Sequence, residues 1–321
     1  MAEGGALAFV VNLLAAGVAS GTPLLIVTLG EVIAERGGVL NLGLEGLMLV
    51  GAMSGVLVAL PTGSASLGLL AAFTAAALLA TAHAVVCVSL RADQVVSGLS
   101  LGFVGIGLAS MLGAPLVGAQ AQLDRFAVRP VPFFSELPVL GPVLFAHNVL
   151  TYGALLAAPL CWLLLQRTRI GLHLRAVGEN PEAADGLGVN VTVYRYAAVC
   201  LGGGLAGVGG AALSLALTPG YVDGMTAGMG FVALGLTIFA RWNPLAAVPG
   251  ALLFGAIRRL PLDVQGLDVG WLANPSSGYF FNMLPYLFVI GVLVVGNLRR
   301  QQRGLGAPAA LGRSFVRGER R

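Results

Sequence analysis

Apolar residues recur along this chain in runs of roughly 20, the length a helix needs to cross the hydrocarbon core of a bilayer. Short stretches rich in Gly, Pro, Arg and Asn separate them. Strands of a membrane barrel alternate apolar and polar positions over about 10 residues, whereas these runs are apolar throughout. The pattern predicts helices over Leu7–Leu29, Val39–Leu60, Leu67–Leu90, Val95–Leu112, Val149–Gln166, Arg195–Leu217, Gly228–Ala240, Leu245–Ile257 and Tyr279–Gly296. The segments 228–240 and 245–257 are short for a crossing, as broken or re-entrant helices are. The expectation is an all-α polytopic membrane protein of about 8–10 spans. Residues 1–298 form its transmembrane domain, with an inner-surface segment at 171–193, and residues 299–321 form a basic tail.

Composition agrees: 57% of the 321 residues are hydrophobic and 10% charged, against about 25% charged in soluble domains. Mean hydropathy is +0.89. Charge placement adds orientation, because arginine marks cytoplasmic loops. Arg167, Arg169, Arg175 and Arg195 crowd one connection and seven arginines the tail. Both belong inside, which puts the long link 113–148 outside. Nine crossings then place the amino terminus outside, and one more would move it inside. Lysine is absent, so the Gly-Lys-Ser/Thr step of a phosphate-cradling loop cannot be made; any ATP use must come from a partner. Cys87, Cys161 and Cys200 lie far apart within apolar runs and His83, His147 and His173 are isolated. These spacings suggest packing residues, with no metal site, no nucleophile–base motif, no catalytic residue and no nucleic-acid partner.

Glycines at three- and four-residue spacing, in Gly202–Gly210 and Gly102–Gly107, read as contacts where helix backbones approach closely. A Gly-rich break follows a long span in each half, at Gly37–Gly51 and at Gly220–Gly230.

Three polar constellations stand out. Glu31, Glu35, Arg36, Asn41 and Glu45 fall between hydrocarbon-grade stretches, where ionisable groups are costly and by default mark a pathway. If residues 39–50 are helical, Asn41 and Glu45 share a face; alternatively Glu35 and Arg36 sit in a cytoplasmic turn, and Glu45 caps a neighbouring helix or pairs with an arginine. In Gly171–Val189, Asn180 reads as an N-cap, Pro181 as the first helical residue and Glu182 as a first-turn acid, with Gly186 or Gly188 as the stop. This is either a rigid knob for a soluble partner or an ordinary capped loop helix. In the third, Asp223 is placed to cap a helix beginning near Met225, Phe231 offers an aromatic face, and Trp242 suits an interfacial anchor.

Four stretches, GEVIAERGGVLNLGLEGLMLVGA (30–52), RADQVVSG (91–98), GLHLRAVGENPEAADGLGV (171–189) and YVDGMTAGMGFVALGLTIFARWNP (221–244), resemble the permease subunits of bacterial ABC importers. The resemblance is to the branch of the ribose and branched-chain amino-acid permeases that serves nucleosides and simple sugars. It implies a multi-pass subunit in the cytoplasmic membrane, with its C-terminus inside. Its implied partners are a second permease, usually a paralogue, two ATP-binding ATPase subunits and an extracytoplasmic substrate-binding lipoprotein. It implies no cofactor in this chain. Glu179, Asn180, Pro181, Glu182, Ala183, Ala184 and Gly186 match the coupling-helix motif that engages the ATPase. Glu31, Asn41 and Glu45 match the region near the translocation path, to which the residue pattern adds Asp223 and Phe231. Met229 departs from the pattern, which has Arg or Lys there. An ion-coupled secondary transporter using Glu31, Glu45 or Asp223 is the competing class.

Overall fold

The computed structural model describes residues 2–119, 125–265, 283–284, 287, 290–291, 294 and 306–317. The expected span Tyr279–Gly296 lies outside the described residues apart from isolated positions. Helix α1 runs over Ala2–Arg36, α2 over Leu44–Thr62, and α3 over Ala65–Ala84 with a π-helical continuation Val85–Ser89. Then follow α4 (Gln94–Gly113), α5 (Leu140–Leu144), α6 (Val149–Arg167), α7 (Arg169–Glu179) and α8 (Pro181–Gly186). Helix α9 (Val191–Ala212) continues as a π-helix over Leu213–Leu217, and α10 (Met229–Phe239) and α11 (Pro244–Gln265) complete the described helices. Among the described residues, six helices are long and apolar enough to cross a membrane. The protein is an all-α, polytopic membrane protein.

Helix α9 sits at the centre, against α1, α2 and α3. Its glycines make that possible. A methyl group on Gly210 would stand 1.8 Å from the Met48 carbonyl oxygen, and one on Gly207 2.3 Å from that of Ala72. Helices α1 and α11 approach as closely, a methyl on Gly255 falling 2.1 Å from the Gly17 carbonyl. Lipid offers no hydrophobic drive between apolar helices, so close packing of small residues has to hold them. The outer faces carry large apolar side chains such as Leu78 and Phe103, 73% and 72% exposed.

Four element boundaries differ from expectation. Helix α1 does not stop at Leu29 but continues through Glu31 and Glu35 to Arg36, because partners inside the bundle absorb these polar groups. It ends where Gly38 adopts φ +84°, with Val39 N donating to Ala34 O at 3.3 Å and Gly38 N to Glu35 O at 2.9 Å, a glycine-terminated stop. Residues 39–43 are therefore not helical, and Asn41 and Glu45 do not share a helix face. The Asn41 side chain instead accepts from Gly43 N at 2.9 Å, a local turn that competes with helix. Helix α10 starts at Met229 and has Gly228, not Asp223, at its N-cap. Helix α11, expected to be short, extends over 22 residues.

Candidate functional site

The link 39–43 is non-helical backbone buried among spans, tolerable only where protein groups satisfy it. Three helices do so. Glu31 Oε1 on α1 accepts from Asn41 N at 3.2 Å, and Gln94 Oε1 on α4 accepts from Leu40 N at 2.8 Å. His83 on α3 places Nε2 3.1 Å from Leu40 O and Nδ1 2.9 Å from Ser97 Oγ. Glu31 and Asn41 are thus brought together, as part of a brace for the link.

Glu45 opens α2 immediately after the link. Its carboxylate accepts from Thr226 Oγ1 at 2.5 Å, Gly228 N at 2.8 Å and Gly230 N at 2.8 Å. These backbone donors belong to the start of α10, so Glu45 caps a neighbouring helix as well as lying in the first turn of its own. Each helix N-terminus carries partial positive charge, and an anion between two is favoured. The Gly-rich breaks of the two halves meet here.

Helix α10 has 11 residues, a rise of about 16 Å, half the hydrocarbon thickness. Its far end turns back beside the end of α1: Trp242 Nε1 donates to Glu35 Oε2, and Arg36 Nε donates to Trp242 O at 3.3 Å. Trp242 is 7% exposed, so it is a buried clasp and not an interfacial anchor. Arg241 and Trp242 both adopt positive φ, +53° and +55°, a conformation that costs energy for residues with side chains and that these contacts offset. Arg36 Nη1 also stands 4.0 Å from Glu179 Oε1, which ties α1 to the surface carrying α7 and α8. The α10 N-terminus therefore lies near mid-depth of the bundle.

Asp223 stands apart from this cluster. Its Oδ1 accepts from Ser110 Oγ at 2.7 Å and lies 3.5 Å from the Tyr221 hydroxyl, which itself donates to Ala109 O at 2.9 Å. Burial, with the Asp223 carboxylate alongside, pushes the Tyr221 hydroxyl up to about 12. Phe231 is 49% exposed on the first turn of α10. Met229, the departure from the family pattern, is buried in the apolar core, so it does not alter the exposed wall.

The segment 171–193 folds as its local chemistry dictates. Asn180 Oδ1 accepts from Ala183 N at 2.9 Å with Pro181 at the first helical position. Gly188, at φ +83°, makes the stop, with Gly188 N donating to Asp185 O and Val189 N to Ala184 O. Ala184 packs with Val177 and Val191, leaving Glu182, Ala183 and Gly186 on the outer face. Leu187, beside the stop, is 86% exposed.

Four contributors escaped sequence reading. His83, Gln94 and Trp242 are single polar residues whose partners lie in other helices. Arg195 sits fully buried in α9 instead of in an inner loop. Gln94 and Trp242 carry a signal, lying in the family-like stretches 91–98 and 221–244. An open cavity of about 500 Å³ between α3 and α4 adds His83, Asp93, Ser97 and Ser100 to a mostly apolar lining, a volume suited to a small solute.

A half-depth helix whose N-terminus meets a buried carboxylate, set among apolar spans, is an arrangement that membrane transport proteins share. The branched-chain amino acid transport system / permease component family matches residues 13–295. The chain belongs to that family. It is 41% identical to the nucleoside ABC transporter permease protein NupC of Lactococcus lactis, over 85% of this chain and 88% of that one. It is 35% identical to the guanosine ABC transporter permease protein NupQ of Bacillus subtilis, over 93% and 94%. TsgC13 of Haloferax volcanii, an ABC transporter permease named provisionally for glucose, is 40% identical over 97% and 99%. No solved structure matches the chain.

Proposed function

We propose that this chain is the permease subunit of an ABC importer that carries a nucleoside across the bacterial cytoplasmic membrane by alternating access. Two ATPase subunits bind ATP and dock at α8; a second permease, a paralogue, completes the path, and a lipoprotein delivers solute outside. The C-terminus lies inside. The observation that carries the reading is the half-depth helix α10, with Phe231 exposed one residue beyond the Glu45–Gly230 bond. In this reading Glu31, Asn41 and Glu45 hold the wall of the path in shape. Phe231 offers a stacking face to a base, and Asp223 an exposed acceptor to hydroxyls. Closure of the ATPases moves the coupling helices and biases a two-state membrane domain.

The test is uptake of labelled nucleoside into proteoliposomes that hold the complete importer, with ATP inside. Uptake requires ATP and the binding lipoprotein, and unlabelled nucleoside competes where glucose does not. Phe231→Ala lowers it at least tenfold with assembly intact. Glu182→Arg with Ala183→Arg abolishes ATP-driven uptake by disrupting docking. Nucleoside uptake driven by an ion gradient without ATPase overturns the importer reading. The similarity to TsgC13 favours a second reading, sugar import by the same machinery, which competition by glucose alone would establish.

A further inference from the structure

A basic run such as 299–321 is ordinarily a solvated flank. Residues 306–317 instead lie against α7, α8 and the start of α9. Ala310 N donates to Gly178 O at 2.9 Å, and Ala309 N donates to Glu179 Oε2 at 3.2 Å. The segment turns on itself through Leu311 N to Pro308 O at 3.0 Å and Arg313 N to Ala310 O at 3.1 Å. Pro308 and Ala310 are buried, and Phe315 packs on the Val177, Ala184 and Val191 cluster. Arg317 Nε lies 3.0 Å from Asp185 Oδ2.

Beneath this turn lies Arg195, which is 0% exposed. A buried guanidinium is costly without acceptors. Arg195 Nη1 donates to the main-chain carbonyl of Arg313 at 2.8 Å, so the tail supplies an acceptor. A methyl group on Gly38 would stand 3.2 Å from Arg195 Nη2 and 3.4 Å from Ala310 O. The stop of α1, the first turns of α9 and the tail therefore meet at one point.

We propose that residues 306–317 form a strap that clamps the α7–α8 hairpin onto α1 and α9, and that Arg195 is the positioning residue that anchors it. Helix α8 has six residues, and helices this short are unstable alone, so its place is set by what packs on it, the Val177 and Val191 side chains and the strap. The strap grips both sides of the hairpin, through Gly178 and Glu179 at its corner and Asp185 within α8. A displacement of α8 by a docked ATPase is then passed to α9, the central span, instead of being absorbed in the loop. The interface the ATPase moves is thus a composite of α8 and the chain's own C-terminal segment.

This inference rests on the importer reading, and its test uses the complete importer in proteoliposomes. Without ATP-driven uptake by the wild-type complex, that reading fails before the strap is at issue. Given uptake, a chain ending at Leu305 is expected to assemble and hydrolyse ATP while importing at least fivefold less solute per ATP. Unchanged solute per ATP overturns the strap. A second variant decides the matter if the shortened chain does not assemble. Ala176→Cys with Phe315→Cys, two residues that pack on the Val177, Ala184 and Val191 cluster, in a chain whose Cys87, Cys161 and Cys200 are replaced by Ala, is joined by a short thiol cross-linker. A permanent strap predicts wild-type solute per ATP after cross-linking. Loss of import on cross-linking, recovered with a cleavable linker after reduction, shows that the tail must leave, and overturns the proposal.

Discussion

Glu45 and Gly230, 185 positions apart, meet at 2.8 Å, the backbone N–H of the glycine donating to the carboxylate near mid-depth of the bundle. The approach needs glycine: a methyl group at 230 would fall 2.3 Å from Glu45 N. Two further donors, Gly228 N and Thr226 Oγ1, converge on the same carboxylate. Glu45→Leu leaves all three without that acceptor, Thr226 and Gly230 buried and Gly228 partly so, a loss of about 2–4 kcal/mol given the cost of unsatisfied buried donors. Glu45→Gln keeps one acceptor oxygen and loses less. Thermal unfolding of the detergent-solubilised protein orders them wild type, Gln, Leu. Equal midpoints for wild type and Leu would mean the bonds contribute nothing.

Glycines within the helices are not interchangeable: Gly210 on α9 is a close-approach site, and Gly107 on α4, expected to be one, is not. Gly210→Ala forces a methyl group to within 1.8 Å of the Met48 carbonyl oxygen, whereas a methyl at Gly107 meets nothing within 4 Å. Backbone cannot yield as a flexible side chain does, so Gly210→Ala separates α9 from α2 and sharply reduces monodisperse protein on size exclusion. Gly107→Ala is neutral or gains up to about 1 kcal/mol from helix propensity. A tolerated Gly210→Ala would contradict the close α2–α9 packing.

The Trp242 indole N–H donates to the buried Glu35 carboxylate. Trp242→Phe preserves the ring and removes the donor, leaving the carboxylate short of a partner at a cost of about 1–3 kcal/mol. Glu35→Leu removes the acceptor, and in the double variant the two losses are expected not to add, since both remove the same interaction. A double-mutant cycle on thermal stability measures the coupling; additive losses would show that the pair does not interact.

Length and apolarity made the spans legible, and the Asn180-Pro181-Glu182 signature gave α8 its cap and first turn, because both depend on neighbours in sequence. The end of α1 is not legible locally, because charge after Leu29 reads as a boundary. Only the folded bundle supplies Trp242 to Glu35 and the Asn41 backbone to Glu31. Asp223 was likewise read as a cap for the residues that follow it, while its donor, Ser110, lies 113 positions away. Glu45 is recognisable as unusual, and the sequence allows it to face a path, cap a neighbour or pair with an arginine. No local pattern identifies which neighbour, since the donors lie across the whole intervening chain.

Tyr221 gives a dependence on pH. Its hydroxyl, pushed up to about 12 by burial beside Asp223, ionises near 10 in an unfolded chain. The folded state holds the proton more tightly, so this contribution is complete below pH 10, declines as pH rises from about 10 to 12, and is lost beyond. Tyr221→Phe removes the bond to Ala109 O, at a cost of about 1 kcal/mol. The stability difference between wild type and Tyr221→Phe is therefore expected to be constant from pH 6 to 9 and to narrow above about 10. Denaturant titrations at a series of pH values measure it. A difference that already changes between pH 6 and 9 would mean that the phenol is not held in its protonated form by this site.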